Sequence, residues 1–450
     1  MNLTPYIAQR RWFRGKARGL REARIDEIFP LELGGEPVDL AIIECTYESG
    51  EPDRYVLPIA TAIGPEAESL KPHLVIGVEN GKTRYDALGS EKLLAGLLEK
   101  LRGGGTRIDG PRGTLVFRPL PGFDDVPHTS VAPKATEKEQ TNSSIVFGDA
   151  YIFKIVRKLD EGRSAELEMG ETLTRHGYAS IPQVLGAIEI VRKGGGEPST
   201  IGVVHHFLAN EGDAWAYTLE TVARDPAPAA YRDDARLLGT RLGEMHAVLA
   251  SATERDFAAT TLDRAARTAI GAAVTANARS VAGSLRPGDE AKIAARVAAF
   301  VELPKDPLAM RVHGDLHLGQ ILAAQKDFVF IDFEGEPARS IEERKARRSP
   351  LADVAGMLRS FDYAAATVLR ARSVAEANAW YASAAEAFLA AYRSAAPAAI
   401  TDPATWRACL DFYLVEKCLY EIAYEANNRP DWLAIPRDGL GALLDAEPTK

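Results

Sequence analysis

Late in the sequence, carboxylates and an amide recur at spacings that could gather around one cation. The stretch "MRVHGDLHLGQIL" (Met310–Leu322) carries His313, Asp315 and Gln320, and "IDFEGEP" (Ile331–Pro337) carries Asp332 and Glu334. "QILAA" and "FVFID" are short apolar runs joined by Gln325-Lys326-Asp327, which reads as a β-hairpin. A hairpin brings the start of its first strand beside the end of its second. Gln320 and Asp332 therefore share one end, and Asp315 lies in the loop that feeds it. Hard oxygen donors of this kind suit Mg2+, which is held by one or two carboxylates together with substrate phosphates.

The same spacing occurs in phosphotransferase catalytic loops. In the protein-kinase pattern an Asp five residues before an Asn precedes a Mg2+-binding Asp at the end of a hairpin. Here H-G-D-L-H-L-G-Q stands for H-R-D-L-x-x-x-N, and D-F-E-G for D-F-G. Gln320 carries the amide oxygen of Asn on a longer arm, and Glu334 adds a carboxylate for a second metal ion. His313 either braces the loop through a backbone bond or joins the substrate-binding residues. Such chemistry also requires a lobe that holds ATP. Lys154 lies inside the apolar run "YIFKIV", as a solvated edge residue or as a buried cation with an anionic partner. Glu168, in the next helical stretch, is the expected partner, with Glu166 as the nearby alternative. Asn142, Ser143 and Ser144 open the hairpin that contains Lys154 and could present polar groups to phosphates.

These residues need a two-part scaffold. The 450-residue chain is too long for one ordinary core. Strand-like runs such as "VDLAIIECTYE" and "DRYVLPIATAI" dominate the first part. "SEKLLAGLLEKLRGGG" reads as a helix ending at glycines. "RPLPGFDDVPHTSVAPKATEKEQTNSS" reads as an extended connection, and "SSIVFGDAYIFKIVRKL" as a hairpin turning at Gly148-Asp149. A helix is expected from about Ser164 to His176. From Tyr231 onward helical periodicity prevails, with Leu237, Leu238, Leu242, Met245 and Leu249 on one face.

The net charge of −9 disfavours sequence-independent nucleic-acid binding, which needs a basic surface. Three cysteines without metal spacing, no apolar leader and no run long enough to span a bilayer give the expectation of a cytoplasmic protein with reduced thiols and no membrane partner.

One further face has chemical character. Lys417, Tyr420, Glu421 and Tyr424 lie three or four residues apart in a stretch expected to be helical to about Glu425 and broken at Asn427-Asn428-Arg429-Pro430. Tyr413 extends this face, and Trp432 follows the break. Aromatic rings can stack on the C–H face of a sugar while carboxylate and amine groups bind its hydroxyls. The alternative is that the rings fill a core and the charges pair with one another.

"HGDLHLGQIL", "IDFEGEP", "SPLADVAGMLRSFDYAA" and "LYEIAYEANNRPDWLAIP", with "RRWFRGKAR" near the start, closely resemble the bacterial maltokinases over nearly the whole chain. That resemblance implies an α+β, bilobal protein-kinase-like fold. A cap subdomain is expected over residues 1–90, a β-rich ATP-binding lobe over 91–210 and a helical lobe over 211–450. It also implies ATP-dependent conversion of maltose to maltose 1-phosphate, a step linking trehalose to α-glucan (glycogen) synthesis, and an association with trehalose synthase. By the resemblance Asp315 is the catalytic base, Gln320, Asp332 and Glu334 hold Mg2+, and Lys154 with Glu168 positions phosphates. A related family phosphorylates glucosamine. Two rival readings are thus a kinase for glucosamine, an aminoglycoside or another small sugar, and an inactive kinase-like binding scaffold.

Overall fold

Period-two alternation builds the first sheet. After a short helix α1 (Thr4–Ala8), strand β1 (Leu20–Leu33) buries Phe29, Leu31 and Leu33 and leaves Pro30 and Glu32 outside. The computed structural model describes residues 2–126, 133–135, 142–336 and 339–446. Residues 1–171 with 182–209 form one unit, and residues 172–181 with 210–450 form another.

In the first unit, β2 (Glu36–Tyr47), β3 (Asp53–Ala62), α2 (Pro65–Ser69), β4 (Val75–Glu79) and β5 (Lys82–Asp86) complete an antiparallel sheet ordered β1-β2-β3-β5-β4. Helix α3 (Glu91–Glu99) starts where the Ser90 hydroxyl accepts the Leu93 amide. A second antiparallel sheet follows, made of β6 (Thr106–Asp109), β7 (Gly113–Pro119), β8 (Lys134–Ala135), β9 (Asn142–Phe147) and β10 (Tyr151–Val156). The chain continues through β11 (Lys158–Leu159) and α4 (Ala165–Arg175). It returns to the second sheet with β12 (Val184–Arg192) and β13 (Ser199–His206), in the order β6-β7-β12-β13-β10-β9-β8. The expected hairpin turn at Gly148-Asp149 is present, with Gly148 at φ +58°. Of the expected connection from Arg118 to Ser144, residues 127–132 and 136–141 lie outside the described residues.

The two sheets share apolar packing. Leu31, Leu40 and Val56 of the first belong to one cluster with Phe117, Phe153 and Ile188 of the second. After β10 the chain crosses back, and β11 joins the first sheet by pairing with β3. At this seam Arg157, 3% exposed, donates to Asp86 at 2.8 Å and lies 4.9 Å from the Trp12 ring.

The second unit is mainly helical. Its elements are α5 (Ala214–Arg224), α6 (Arg232–Ser251), β14 (Thr260–Thr261), α7 (Arg264–Ser280), α8 (Asp289–Val301), β15 (Leu308–Ala309), β16 (Ile321–Ala324) and β17 (Asp327–Phe330). Then come α9 (Ile341–Lys345), α10 (Leu351–Val368), α11 (Val374–Ala395), α12 (Pro403–Asn428) and α13 (Ala434–Asp445). The β16–β17 hairpin expected between Gln320 and Asp332 is present. Its turn is tighter than expected. Gln325 and Lys326 both take left-handed backbone angles, φ +48° and +67°, and Asp327 belongs to the strand. Helix α12 runs past the expected stop near Glu425 to Asn428. The Asn427 and Asn428 amides donate to the carbonyls of Ala423 and Tyr424, which sustains the last turn until Pro430 ends it. No helix among the described residues is long and apolar enough to cross a membrane.

Helices α6 and α11 approach closely because Gly239 and Gly243 face α11. A β-carbon at Gly239 would stand 2.2 Å from the Phe388 carbonyl oxygen. Gly239→Ala should therefore destabilise the protein by about 1–3 kcal/mol, the usual cost of overpacking, despite the better helix propensity of Ala. Thermal unfolding measures it, and an unchanged midpoint would show that the helices can separate at little cost.

Candidate active site

The expected catalytic loop is held from beneath by helix α10. Asp353, 1% exposed, accepts the amide of His313 at 2.8 Å and that of Gly314 at 2.9 Å. Its carboxylate also lies 3.2 Å from His246 Nε2, and His246 Nδ1 lies 2.7 Å from the Tyr392 hydroxyl. Burial acts to raise the Asp353 pKa, but His246 and the amide bonds outweigh it and hold the carboxyl below its ordinary range. One and two turns further along α10, Gly356 and Ser360 meet the same loop. A β-carbon at Gly356 would sit 2.3 Å from the Leu316 carbonyl, and the Ser360 hydroxyl accepts the Leu318 amide at 3.1 Å. The spacing Asp353, Gly356, Ser360 is thus one helix face that clasps residues 313–318.

His313 is a brace. It is 1% exposed, and Nε2 donates to the Ile331 carbonyl at 2.9 Å, which leaves Nδ1 to accept the Asp315 amide. This corrects its placement among substrate-contacting residues, because the ring is spent on tying the loop to the residue before Asp332. Gln320 and Asp332 do share one end of the hairpin. The Gln320 carbonyl accepts the Ile331 amide at 3.0 Å, one step beyond the Ile321–Phe330 register pair. Asp332 has φ +67°, a left-handed conformation that Asp tolerates better than most residues, at a cost of roughly 1–3 kcal/mol. Asp332 and Glu334 are half-buried, so a carboxylate oxygen of either can meet a hydrated cation. The oxygen donors of Gln320, Asp332 and Glu334 fit Mg2+.

Asp315 faces a cavity of about 510 Å3, a volume typical of small-molecule sites. Lys417 Nζ lies 3.3 Å from its carboxylate and 3.5 Å from that of Glu336. Burial acts to lower the Lys417 pKa, but these carboxylates outweigh it and keep the ammonium firmly protonated. His317, also in the cavity wall, accepts the Gly319 amide at 3.0 Å. Burial pushes its pKa down to about 4 against the pull of Asp315, so it is neutral at pH 7.

The face expected for a sugar lines this cavity through Lys417, Tyr420, Glu421 and Tyr424, with Trp432 beyond the helix end. Tyr413 does not extend it as expected, since it is 1% exposed and packs against Phe300 and Phe412. Both readings of the charged groups hold together. Glu421 accepts from Arg359 Nε at 2.8 Å, and Glu425 from Arg429 at 2.6 and 2.9 Å, yet both carboxylates border the cavity. Burial pushes the Glu421 carboxyl up, with Arg359 and Lys417 opposing. Tyr363 and Trp432 rings lie 6.1 Å apart at 27°, and Trp215 of α5 adds another ring to the wall. Sequence reasoning missed Trp215, His317, Arg359 and Arg429. The motif "NEGDAW" gives only a helix start at Asp213, which accepts the Ala216 amide, and the arginines resemble ordinary helix-surface charges.

In the first unit Lys154 is a buried-side cation with a partner, not a solvated edge residue. Its Nζ lies 2.6 Å from Glu166 Oε1, and the two side chains are 20% and 5% exposed. The partner is therefore Glu166, which corrects the expected Glu168. Two residues along a helix turn the side chain by about 200°, so only one of them can face β10. His205 Nε2 lies 3.2 Å from the same Glu166 oxygen. Burial acts to raise the Glu166 pKa, but Lys154 and His205 outweigh it and hold the carboxyl down.

The polar trio before Lys154 is split by the strand. Ser144 sits directly opposite Lys154 in the β9–β10 register and shares its face. Ser143 accepts from Arg157 Nε at 2.9 Å and serves the seam between the sheets. Asn142 opens β9 opposite Val156, and its side chain lies outside the described residues.

Comparisons with known proteins identify the family. Residues 6–89 match the maltokinase N-terminal cap domain, and residues 136–397 match the phosphotransferase enzyme family. A glucosamine kinase of Streptacidiphilus jiangxiensis is 31% identical over 339 residues, covering 70% of this chain and 75% of that one. A glucosamine kinase of Mycolicibacterium smegmatis is 29% identical over 320 residues, covering 68% and 78%. The structure of a glucosamine kinase in complex with glucosamine, ADP and inorganic phosphate superposes with a TM-score of 0.70 at 21% identity. It covers 99% of each chain and shares the fold. By these matches, and with its antiparallel and helical units of kinase-like fold, the chain belongs to the phosphotransferase enzyme family, as an ATP-dependent kinase that carries a maltokinase N-terminal cap domain.

Proposed function

We propose that this sugar kinase transfers the γ-phosphoryl group of ATP to a neutral sugar, and that the sugar is maltose. The observation that carries this reading is the charge state of the cavity wall. Asp315, Glu421 and Glu425 each have a cation within hydrogen-bond or ion-pair reach, namely Lys417, Arg359 and Arg429. A substrate ammonium would compete with a cation already in place at each of the three, whereas hydroxyls can bond to these groups without altering the balance of charge. Five aromatic side chains, Trp215, Tyr363, Tyr420, Tyr424 and Trp432, give apolar area for more than one sugar ring. The match to a maltokinase cap domain supports the same sugar. The identity to glucosamine kinases supports a second reading, glucosamine.

In the proposed mechanism Asp315 orients the acceptor hydroxyl and takes its proton, from a loop fixed by Asp353 and His313. Gln320, Asp332 and Glu334 would hold Mg2+, which offsets charge on the phosphates when bound. Lys154, aligned by Glu166, would contact the phosphates of ATP, with Ser144 beside it. Buried, unpaired Cys45, Cys409 and Cys418, together with the need for ATP, support a cytoplasmic setting.

A panel of maltose, glucose and glucosamine, assayed for ATP consumption, tests the substrate. Maltose should show the highest kcat/KM, and a glucosamine preference would replace the reading with its rival. Asp315→Asn should keep the fold and ATP affinity but lose about 10²- to 10⁴-fold in kcat, the usual span of a general base. Activity near wild type would remove Asp315 from that role. The two glutamates of α4 can be separated by kinetics. Glu166→Gln should impair ATP use, while Glu168→Gln should remain close to wild type; the reverse pattern would restore the pairing expected from sequence.

A further inference from the structure

The counter-charges of Glu421 and Glu425 differ in kind. Arg359, which serves Glu421, is a core residue whose side chain is 6% exposed, and it also holds Asp362 at 2.7 Å. Glu425 is equally enclosed, at 2% side-chain exposure, but its cation is Arg429, whose side chain is 48% exposed. Arg429 caps the end of α12 one turn beyond Glu425, and Pro430 fixes the chain there. The guanidinium reaches both oxygens of Glu425, at 2.6 and 2.9 Å, while Tyr363 donates to one of them at 3.1 Å. It also lies 4.8 Å from the Trp432 ring and 5.5 Å from the Tyr424 ring, both in the cavity wall. A buried carboxylate needs a cation, and here the cation stands at the rim, where a substrate could take its place.

We infer that Arg429 is a specificity-determining residue, occupying the position at Glu425 that the ammonium of an amino sugar would otherwise take. The inference rests on the neutral-sugar reading above and assigns the cause of that selectivity. Arg429 acts in two ways. It satisfies Glu425, so an amino sugar gains no bond there, and its positive charge repels a second cation brought to the same carboxylate. Without it, Glu425 becomes a buried acceptor for a protonated amine, and Tyr363 keeps the carboxylate aimed.

Glucose and glucosamine differ by one hydroxyl replaced with an amine, so the ratio of their kcat/KM values isolates this effect. That ratio should be measured with maltose as a further substrate, in the wild type and in Arg429→Met, Arg429→Lys and the double variant Arg429→Met with Glu425→Gln. Arg429→Met should raise the glucosamine-to-glucose ratio at least about tenfold, mostly through KM, within the range of a charge-assisted hydrogen bond. The gain should fade as rising pH removes the amine's proton, and Arg429→Lys should keep the wild-type ratio. The double variant should cancel the gain. Loss of folding lowers all sugars together and does not produce this pattern; if the Met variant fails to fold, Arg429→Gln is the second neutral variant. An unchanged ratio beside a wild-type preference for maltose would overturn the role of Arg429 alone, as would a gain that survives Glu425→Gln. A wild-type preference for glucosamine over maltose would overturn both this inference and the neutral-sugar reading.

Discussion

The loop of residues 313–318 depends on one buried carboxylate. Asp353 takes the amides of His313 and Gly314 on its two oxygens, and His246, set by Tyr392, lies against the same group. Burying a charge costs several kcal/mol, and only a full set of bonds offsets it. That requirement makes the loop rigid, because any movement of residues 313 and 314 would strip the carboxylate of donors. Asp315, one residue on, inherits the position. His313 passes it across to Ile331, so the loop and the strand end that carries Asp332 are fixed relative to each other.

Charge compensation takes two forms around the candidate site residues. In the first unit one carboxylate, Glu166, faces two nitrogen bases, Lys154 and His205. In the second, one ammonium, Lys417, lies between two carboxylates, Asp315 and Glu336. The first arrangement holds the Lys154 cation in place on β10. The second holds the acidic side chain that faces the cavity without filling all of its lone pairs, so Asp315 keeps capacity to accept from a ligand.

Much of this was legible in the sequence, for identifiable reasons. The β16–β17 hairpin follows from two apolar runs and a short polar turn, and it alone brings Gln320 to the end where Asp332 stands. The cavity-facing side of α12 follows from spacings of three and four. What could not be read was choice among near neighbours. Glu166 and Glu168 have the same chemistry, and only the angular position of the helix against β10 separates them. Nor does periodicity reveal long-range partners. Nothing local in the chain says that Asp353 will meet residues 313 and 314, or that Arg359 will take Glu421 of α12, whereas the Glu425–Arg429 pair, four residues apart, is a local one. His313 was ambiguous for the same reason, as its partner Ile331 is defined only once the hairpin has formed.

The seam between the two antiparallel sheets of the first unit has a consequence for how that unit comes apart. The cap match ends at residue 89, yet β11 hydrogen-bonds to β3, Arg157 is buried against Asp86 and Trp12, and both sheets contribute to one apolar cluster. A segment that shares its core and a strand pairing with its neighbour should melt together with it. Amide protons of β3 and β10 should thus exchange with solvent through a common opening. Excising the cap would leave Arg157 as a stranded charge just three residues after Lys154. The boundary drawn by ancestry is not a boundary of cooperativity, and the cap is better regarded as part of the foldon that carries Lys154.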